Sequence, residues 1–127
     1  MYILKVCDLG QCRQLVDKDS NLTEYVSTRW YRAPELLVGS SSYDKSIDIW
    51  ALGCMIPELI SGKPLFPGNT NFEALAYVIK TLGNNLLTKE QIACFHSNSE
   101  LKAYGKVISL YSLTLIIDTF HQKGSPS

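Results

Sequence analysis

One segment constrains this chain more than any other. Ten of the fourteen residues at 47–60 are apolar, so a helix here is hydrophobic nearly all round, the pattern of a buried central helix. Ser61-Gly62 marks its end, because glycine readily takes the left-handed conformation that closes helices. Pro57 works against the pattern. It removes one backbone donor and clashes with the preceding turn, which costs about 3 kcal/mol in a helix interior, so a kink or an early stop is expected there.

A chain of 127 residues has room for one domain, or a piece of a larger one, around such a helix; two independent catalytic domains are excluded. Twelve basic and twelve acidic residues cancel, so no overall field attracts nucleic acid or anionic lipid. The hydrophobic content of 46% and the lack of any low-complexity run argue against wholesale disorder. Cys7, Cys12, Cys54 and Cys94 have no C-x-x-C pairing, and His96 and His121 lie far apart, so zinc is not expected and the cysteines read as free, small buried hydrophobes. The first eight residues lack the charged and apolar regions of an export signal, so the expected location is intracellular, cytoplasmic or nuclear, and Asn21-Leu22-Thr23 carries no meaning as a glycosylation site.

Residues 2–7 form a short, partly β-branched run ended by Asp8 and Gly10, which predicts a strand entering a turn. The polar stretch 11–28 shows no sustained period, and a loop of that length in a compact domain is usually functional. Pro34 opens a short helical turn that Gly39 closes. Thr70 and Glu73 make a capping box, after which Phe72, Leu75, Ala76, Ile79 and Leu82 recur at helical spacing up to Gly83. That stripe reads as core in preference to a docking surface. Thr88 and Gln91 make a second capping box before a shorter helix with Ile92 and Phe95. Residues 107–120 are dense in Ile, Leu, Ser and Thr, too short for a membrane span of roughly twenty residues, and prone to aggregate if uncovered.

An apolar run, Asp8-Leu9-Gly10, a polar loop and Ala33-Pro34-Glu35 follow the order of parts in a protein kinase activation segment. With Thr23-Glu24-Tyr25, Thr28-Arg29-Trp30-Tyr31-Arg32, Asp48-Ile49-Trp50-Ala51-Leu52-Gly53-Cys54 and Pro64-Leu65-Phe66-Pro67-Gly68, the chain resembles the catalytic domain of eukaryotic serine/threonine kinases of the cyclin-dependent and mitogen-activated group. Glu35-Leu36-Leu37-Val38-Gly39 and Lys80-Thr81-Leu82-Gly83 look most like the cyclin-dependent kinase-like family. The resemblance covers about residues 3–102 and leaves 103–127 as an unassigned tail unlike the family. It implies a mainly α partial C-terminal lobe: a short strand, the activation segment and its helix, the central buried helix and the amphipathic helices after it, without an N-lobe.

The resemblance also implies roles. Asp8 takes the place of the carboxylate that holds Mg²⁺ against the nucleotide phosphates, with Leu9 where the family usually has phenylalanine. Read alone, Asp8 is a turn-forming aspartate before glycine. Thr23 and Tyr25 match a dual phosphorylation motif; Arg13 matches the contact to phosphothreonine, and Arg29 and Arg32 match the receivers of phosphotyrosine. Singly, each arginine reads as a solvated loop cation. Thr28 matches the threonine that bonds the catalytic aspartate and lysine, and Trp30 and Tyr31 the wall beside the residue after the phosphoacceptor, where the group prefers proline. Glu35 and Asp48 match structural anchors, the first to a distant arginine and the second to the catalytic loop.

These 127 residues contain no glycine-rich phosphate loop, strand lysine or catalytic loop. The resemblance therefore implies ATP and Mg²⁺ in the parent kinase, with no binding by this fragment alone, and partners that are protein substrates and an upstream activating kinase or phosphatase. The expected function is a fragment of a proline-directed-type kinase without activity of its own. The alternatives are a non-catalytic decoy or binding module, or a nonfunctional truncated product.

Overall fold

The computed structural model describes residues 3–12, 28–83 and 86–105, with side chains as far as residue 102. Those residues form five helices: α1 (Pro34–Leu37), α2 (Ser46–Ser61), α3 (Asn71–Leu82), α4 (Lys89–Ser97) and α5 (Ser99–Gly105), with single 3-10 turns at Leu9–Gln11 and Arg29–Tyr31. The architecture is mainly α, as expected. The polar loop after Cys12 and the apolar run at 107–120 lie outside the described residues.

The strand expected over residues 2–7 does not form: residues 3–8 have no regular structure, and Ile3, Leu4 and Val6 are exposed. A strand needs a neighbouring backbone to pair with, and the described residues supply none.

Helix α1 follows from its sequence. Pro34 occupies the first helical position, where its missing N–H would have no partner anyway. Gly39 (φ +81°) ends the turn: its N–H donates to Leu36 O at 3.2 Å and the Ser40 N–H to Glu35 O at 2.8 Å, the bond pair of a Schellman motif. The ending is locked from outside as well. Asn98 Nδ2 donates to the Val38 carbonyl at 3.4 Å, and a Cβ at Gly39 would run into that same amide.

The core gathers on α3, whose Ala74, Leu75 and Val78 are fully buried, together with Leu37, Val38, Cys54, Phe66, Phe72, Phe95 and Leu101 from the other segments. Full burial of a Leu or Val side chain is worth about 1.5–3 kcal/mol, so α3 anchors this fold. It packs on α1, α5 and the Arg29–Tyr31 turn. Gly68 lets the chain approach the start of α3, because a Cβ there would strike the Ala74 backbone. The stripe from Phe72 to Ile79 is core, as read from its spacing; Leu82 is exposed.

Helix α2 removes one of the two alternatives at Pro57 and corrects the expected burial. It runs through Pro57 to Ser61 and closes on Gly62 (φ +71°), so there is no early stop. The carbonyl that Pro57 leaves without a donor is that of Gly53, an exposed glycine, so the group is open to solvent instead of buried unpaired. It is also not buried all round. Trp50 and Cys54 face the core, with Trp50 stacked on Phe66 at 5.8 Å, while Ile49, Leu52, Ile56, Leu59 and Ile60 are exposed, Ile60 at 83%. Apolar composition records what a helix is able to bury; what it does bury depends on neighbours, and among the described residues this helix has them on one side.

Of the two expected capping boxes one is complete and the other forms only its first half. Thr88 Oγ1 accepts from Gln91 N, and Gln91 Oε1 from Thr88 N at 2.9 Å, a complete box. At α3, Thr70 Oγ1 accepts from Glu73 N at 3.1 Å, but the Glu73 carboxylate reaches one residue further back, to Asn69 N at 2.8 Å. Asn98 then joins α4 to α5: its N–H donates to Cys94 O, and its Oδ1 accepts from Glu100 N and Leu101 N.

Candidate phosphate and substrate site

The Arg29–Tyr31 turn is one 3-10 turn, closed by Tyr31 N donating to Thr28 O, followed by extended backbone at Arg32 and Ala33 that leads into α1. Its tight pitch sends successive side chains to different elements. Tyr31 reaches α2, where its hydroxyl donates to Glu58 Oε2 at 2.8 Å. Arg29 and Arg32 reach the start of α3.

The two arginines meet on one oxygen. Asn71 Oδ1 accepts from Arg29 Nε at 3.2 Å and from an Arg32 terminal nitrogen, Nη1, at 3.1 Å, while Arg29 Nη1 donates to Asn69 O at 2.8 Å. Arg32 is 3% exposed, so its cation sits in a site where water screens little and where hydrogen bonding is required to hold a charge. Both guanidinium groups line a cleft of about 380 Å³, which Asn71, Gly39 and Asn98 also border; a second, of about 440 Å³, shares Arg29 and Asn71. Glu100 lines both. A planar guanidinium offers five donors, and two of them side by side in a cleft make a receiver for a multiply charged oxyanion.

Glu58 organises the opposite end. Its hydrogen bond to Tyr31, reinforced by desolvation and by its negative charge, raises the phenol pKa above the ordinary value. Burial pushes the Cys54 thiol up in the same direction, with the Glu58 charge adding to it. Cys54 and Tyr31, already neutral at physiological pH, thereby stay neutral to higher pH. The expectation of buried cysteines holds for Cys54 alone: all four are free, Cys94 is half-buried, and Cys7 and Cys12 are exposed.

The remaining expected site residues are not brought together. Asp8 is exposed, before the Leu9–Gln11 turn, with left-handed backbone (φ 62°, ψ 63°); it is the one non-glycine residue with positive φ among those described. Strain of that kind costs of order 1 kcal/mol or more and collects at functional positions. One carboxylate supplies at most two of the six oxygens that Mg²⁺ takes, and no group of three His, Cys, Asp or Glu converges among the described residues. The residues present therefore do not by themselves fit the ion. Trp30 remains 37% exposed beside the clamped turn, and Thr28 is exposed. Glu35 is half-buried in α1 and its carboxylate has no hydrogen bond among the described residues; Asp48 is exposed in the first turn of α2. Arg13, Thr23 and Tyr25 lie outside the described residues.

The sequence profile described as "Protein kinase domain" matches residues 1–121. The chain belongs to the protein kinase domain family. This kinase-domain chain is 48% identical over 96 residues to cyclin-dependent kinase-like 4 of Mus musculus, covering 76% of this chain and 27% of that protein. Similarity of the same kind holds for cyclin-dependent kinase-like 2 of Oryctolagus cuniculus, at 43% over 96 residues (76% of this chain, 17% of that protein), and cyclin-dependent kinase-like 5 of Mus musculus, at 48% over 97 residues (76% and 10%). The chain thus spans about a quarter or less of the length of these kinases. The kinase-profile match extends past Lys102, and α5 runs through that position. No helix among the described residues is long and apolar enough to cross a membrane.

Four residues of the site escape a reading of the kinase motifs: Glu58, Asn69, Asn71 and Asn98. Glu58 offers one signal, as the only charged residue between Asp48 and the end of α2. The asparagines offer none beyond the ordinary preference of asparagine for helix starts.

Proposed function

We propose that the chain is part of a proline-directed-type serine/threonine kinase of the cyclin-dependent kinase-like family, the part that carries the activation segment, and that it transfers no phosphate by itself. The observation that carries this reading is the convergence of Arg29 and Arg32 on Asn71 Oδ1. A phosphate on Tyr25 brings close to two negative charges and three acceptor oxygens, and paired guanidinium groups are the donors that would order such a loop. Arg13 takes the same part toward phosphorylated Thr23. With the loop held, Trp30 and the Tyr31 ring form the wall for the residue after the phosphoacceptor, and a ring wall favours proline there. Thr28 bonds the catalytic groups, Glu35 anchors the segment, Asp48 caps the catalytic loop, and Asp8 supplies one Mg²⁺ ligand in the parent kinase. ATP and Mg²⁺ bind there, outside what these residues supply, and protein substrates and an upstream kinase or phosphatase are the partners.

Transfer needs a base, a held nucleotide and charge neutralisation in one geometry, and a single carboxylate lowers the barrier too little. The exposed apolar residues of α2 favour a second reading, a non-catalytic binding module or a nonfunctional truncated product, because they lack cover among the described residues. The test is treatment of the purified chain with a dual-specificity activating kinase and ATP, followed by mass spectrometric mapping. The reading expects phosphate on Thr23 and Tyr25; an unmodified loop removes both the activation-segment role and the decoy.

A further inference from the structure

We infer that Asn71 is a positioning residue of the phosphate site, an inference that rests on reading Arg29 and Arg32 as phosphate receivers. Two guanidinium groups in a partly buried cleft repel each other, weakly screened by solvent. One neutral oxygen accepts from both, at 3.2 and 3.1 Å, and so helps to hold them adjacent. The Asn69 carbonyl fixes a second nitrogen of the Arg29 fork at 2.8 Å. Asn69 and Asn71 flank the N-cap Thr70, and the cap is itself fixed, with Glu73 N on Thr70 Oγ1 and Asn69 N on the Glu73 carboxylate. The rigid start of α3 thus sets the angle of both arginines, and a neutral amide does so without cancelling their charge, which a carboxylate at the same place would do. The cleft of about 380 Å³ bordered by Arg29, Arg32 and Asn71 gives the oxyanion room beside them; Glu100 lines the same cleft, one carboxylate against two guanidinium groups.

The test titrates the full 127-residue chain with O-phosphotyrosine by calorimetry, and records the melting temperature of each variant. Asn71→Ala is expected to weaken binding about tenfold, the loss of a charge-assisted hydrogen bond, and to lower the melting temperature modestly, since the buried Arg32 loses an acceptor. Asn71→Asp keeps the acceptor but cancels charge; it weakens binding at least as much and flattens its salt dependence. Thr88→Ala removes the cap of α4, which holds neither arginine, lowers the melting temperature, and leaves binding within about twofold of the parent chain. Unchanged affinity in Asn71→Ala, or loss of affinity only in step with melting temperature across all three variants, overturns the inference and leaves the arginines as receivers. A parent chain that does not bind O-phosphotyrosine overturns the reading of Arg29 and Arg32, and the inference with it.

Discussion

The Tyr31 hydroxyl donates to Glu58 Oε2 at 2.8 Å, across 27 positions of sequence, and ties the arginine-bearing turn to α2. The same turn reaches α3 through Arg29 and Arg32, so its position is fixed by two helices that make few other direct demands on each other. Tyr31→Phe removes the α2 link alone. It is expected to cost about 1 kcal/mol in urea unfolding, the ordinary worth of a half-exposed hydrogen bond to a charged acceptor.

The same pair sets a pH dependence. The Tyr31 pKa is raised, chiefly by the Glu58 hydrogen bond, so the folded state holds the phenol proton more tightly than the unfolded chain. The stabilisation from this group is complete below the unfolded phenol pKa, about 10, and is lost as pH rises through the higher folded value. Unfolding midpoints measured between pH 8 and 11 should show this alkaline loss in the parent chain and less of it in Tyr31→Phe.

Gly39 and Asn98 form a second lock. Gly39→Ala puts a Cβ into a left-handed residue and into the Asn98 amide, and is expected to cost about 2 kcal/mol or more. Asn98→Ala removes the α5 cap for about 1 kcal/mol. The double variant should cost less than the sum of the two, because the small side chain at 98 relieves the clash at 39; full additivity in a double-mutant cycle contradicts the lock.

Ile60 is 83% and Leu59 79% exposed, so charge there is tolerated by this fold. Ile60→Asp should leave stability within about 0.5 kcal/mol while reducing self-association and the binding of a dye for apolar surface. A drop of several kcal/mol would mean that α2 is covered on that side.

Local chemistry was readable in advance and tertiary cover was not. The Thr88–Gln91 box, the Gly39 and Gly62 endings and the α3 stripe depend on residues within a few positions of each other, and they form as the pattern predicts. The Thr70–Glu73 box forms by half, because nothing local forbids the carboxylate from choosing Asn69 N over Thr70 N. The strand at 2–7 and the buried α2 fail for one shared reason: each needs surface from elsewhere in space, which periodicity does not report. Arg29 and Arg32 were recognisable through their kinase motif, whereas their shared acceptor Asn71, 39 and more positions away, carries no sequence mark.

The central claim is that this chain presents the activation segment of a kinase and does not itself transfer phosphate. Its most direct test is incubation of the purified 127-residue chain with radiolabelled ATP, Mg²⁺ and a proline-directed peptide substrate. The account predicts incorporation at the level of a protein-free blank, unchanged by Asp8→Asn. Incorporation well above that blank, and lost in Asp8→Asn, would contradict it.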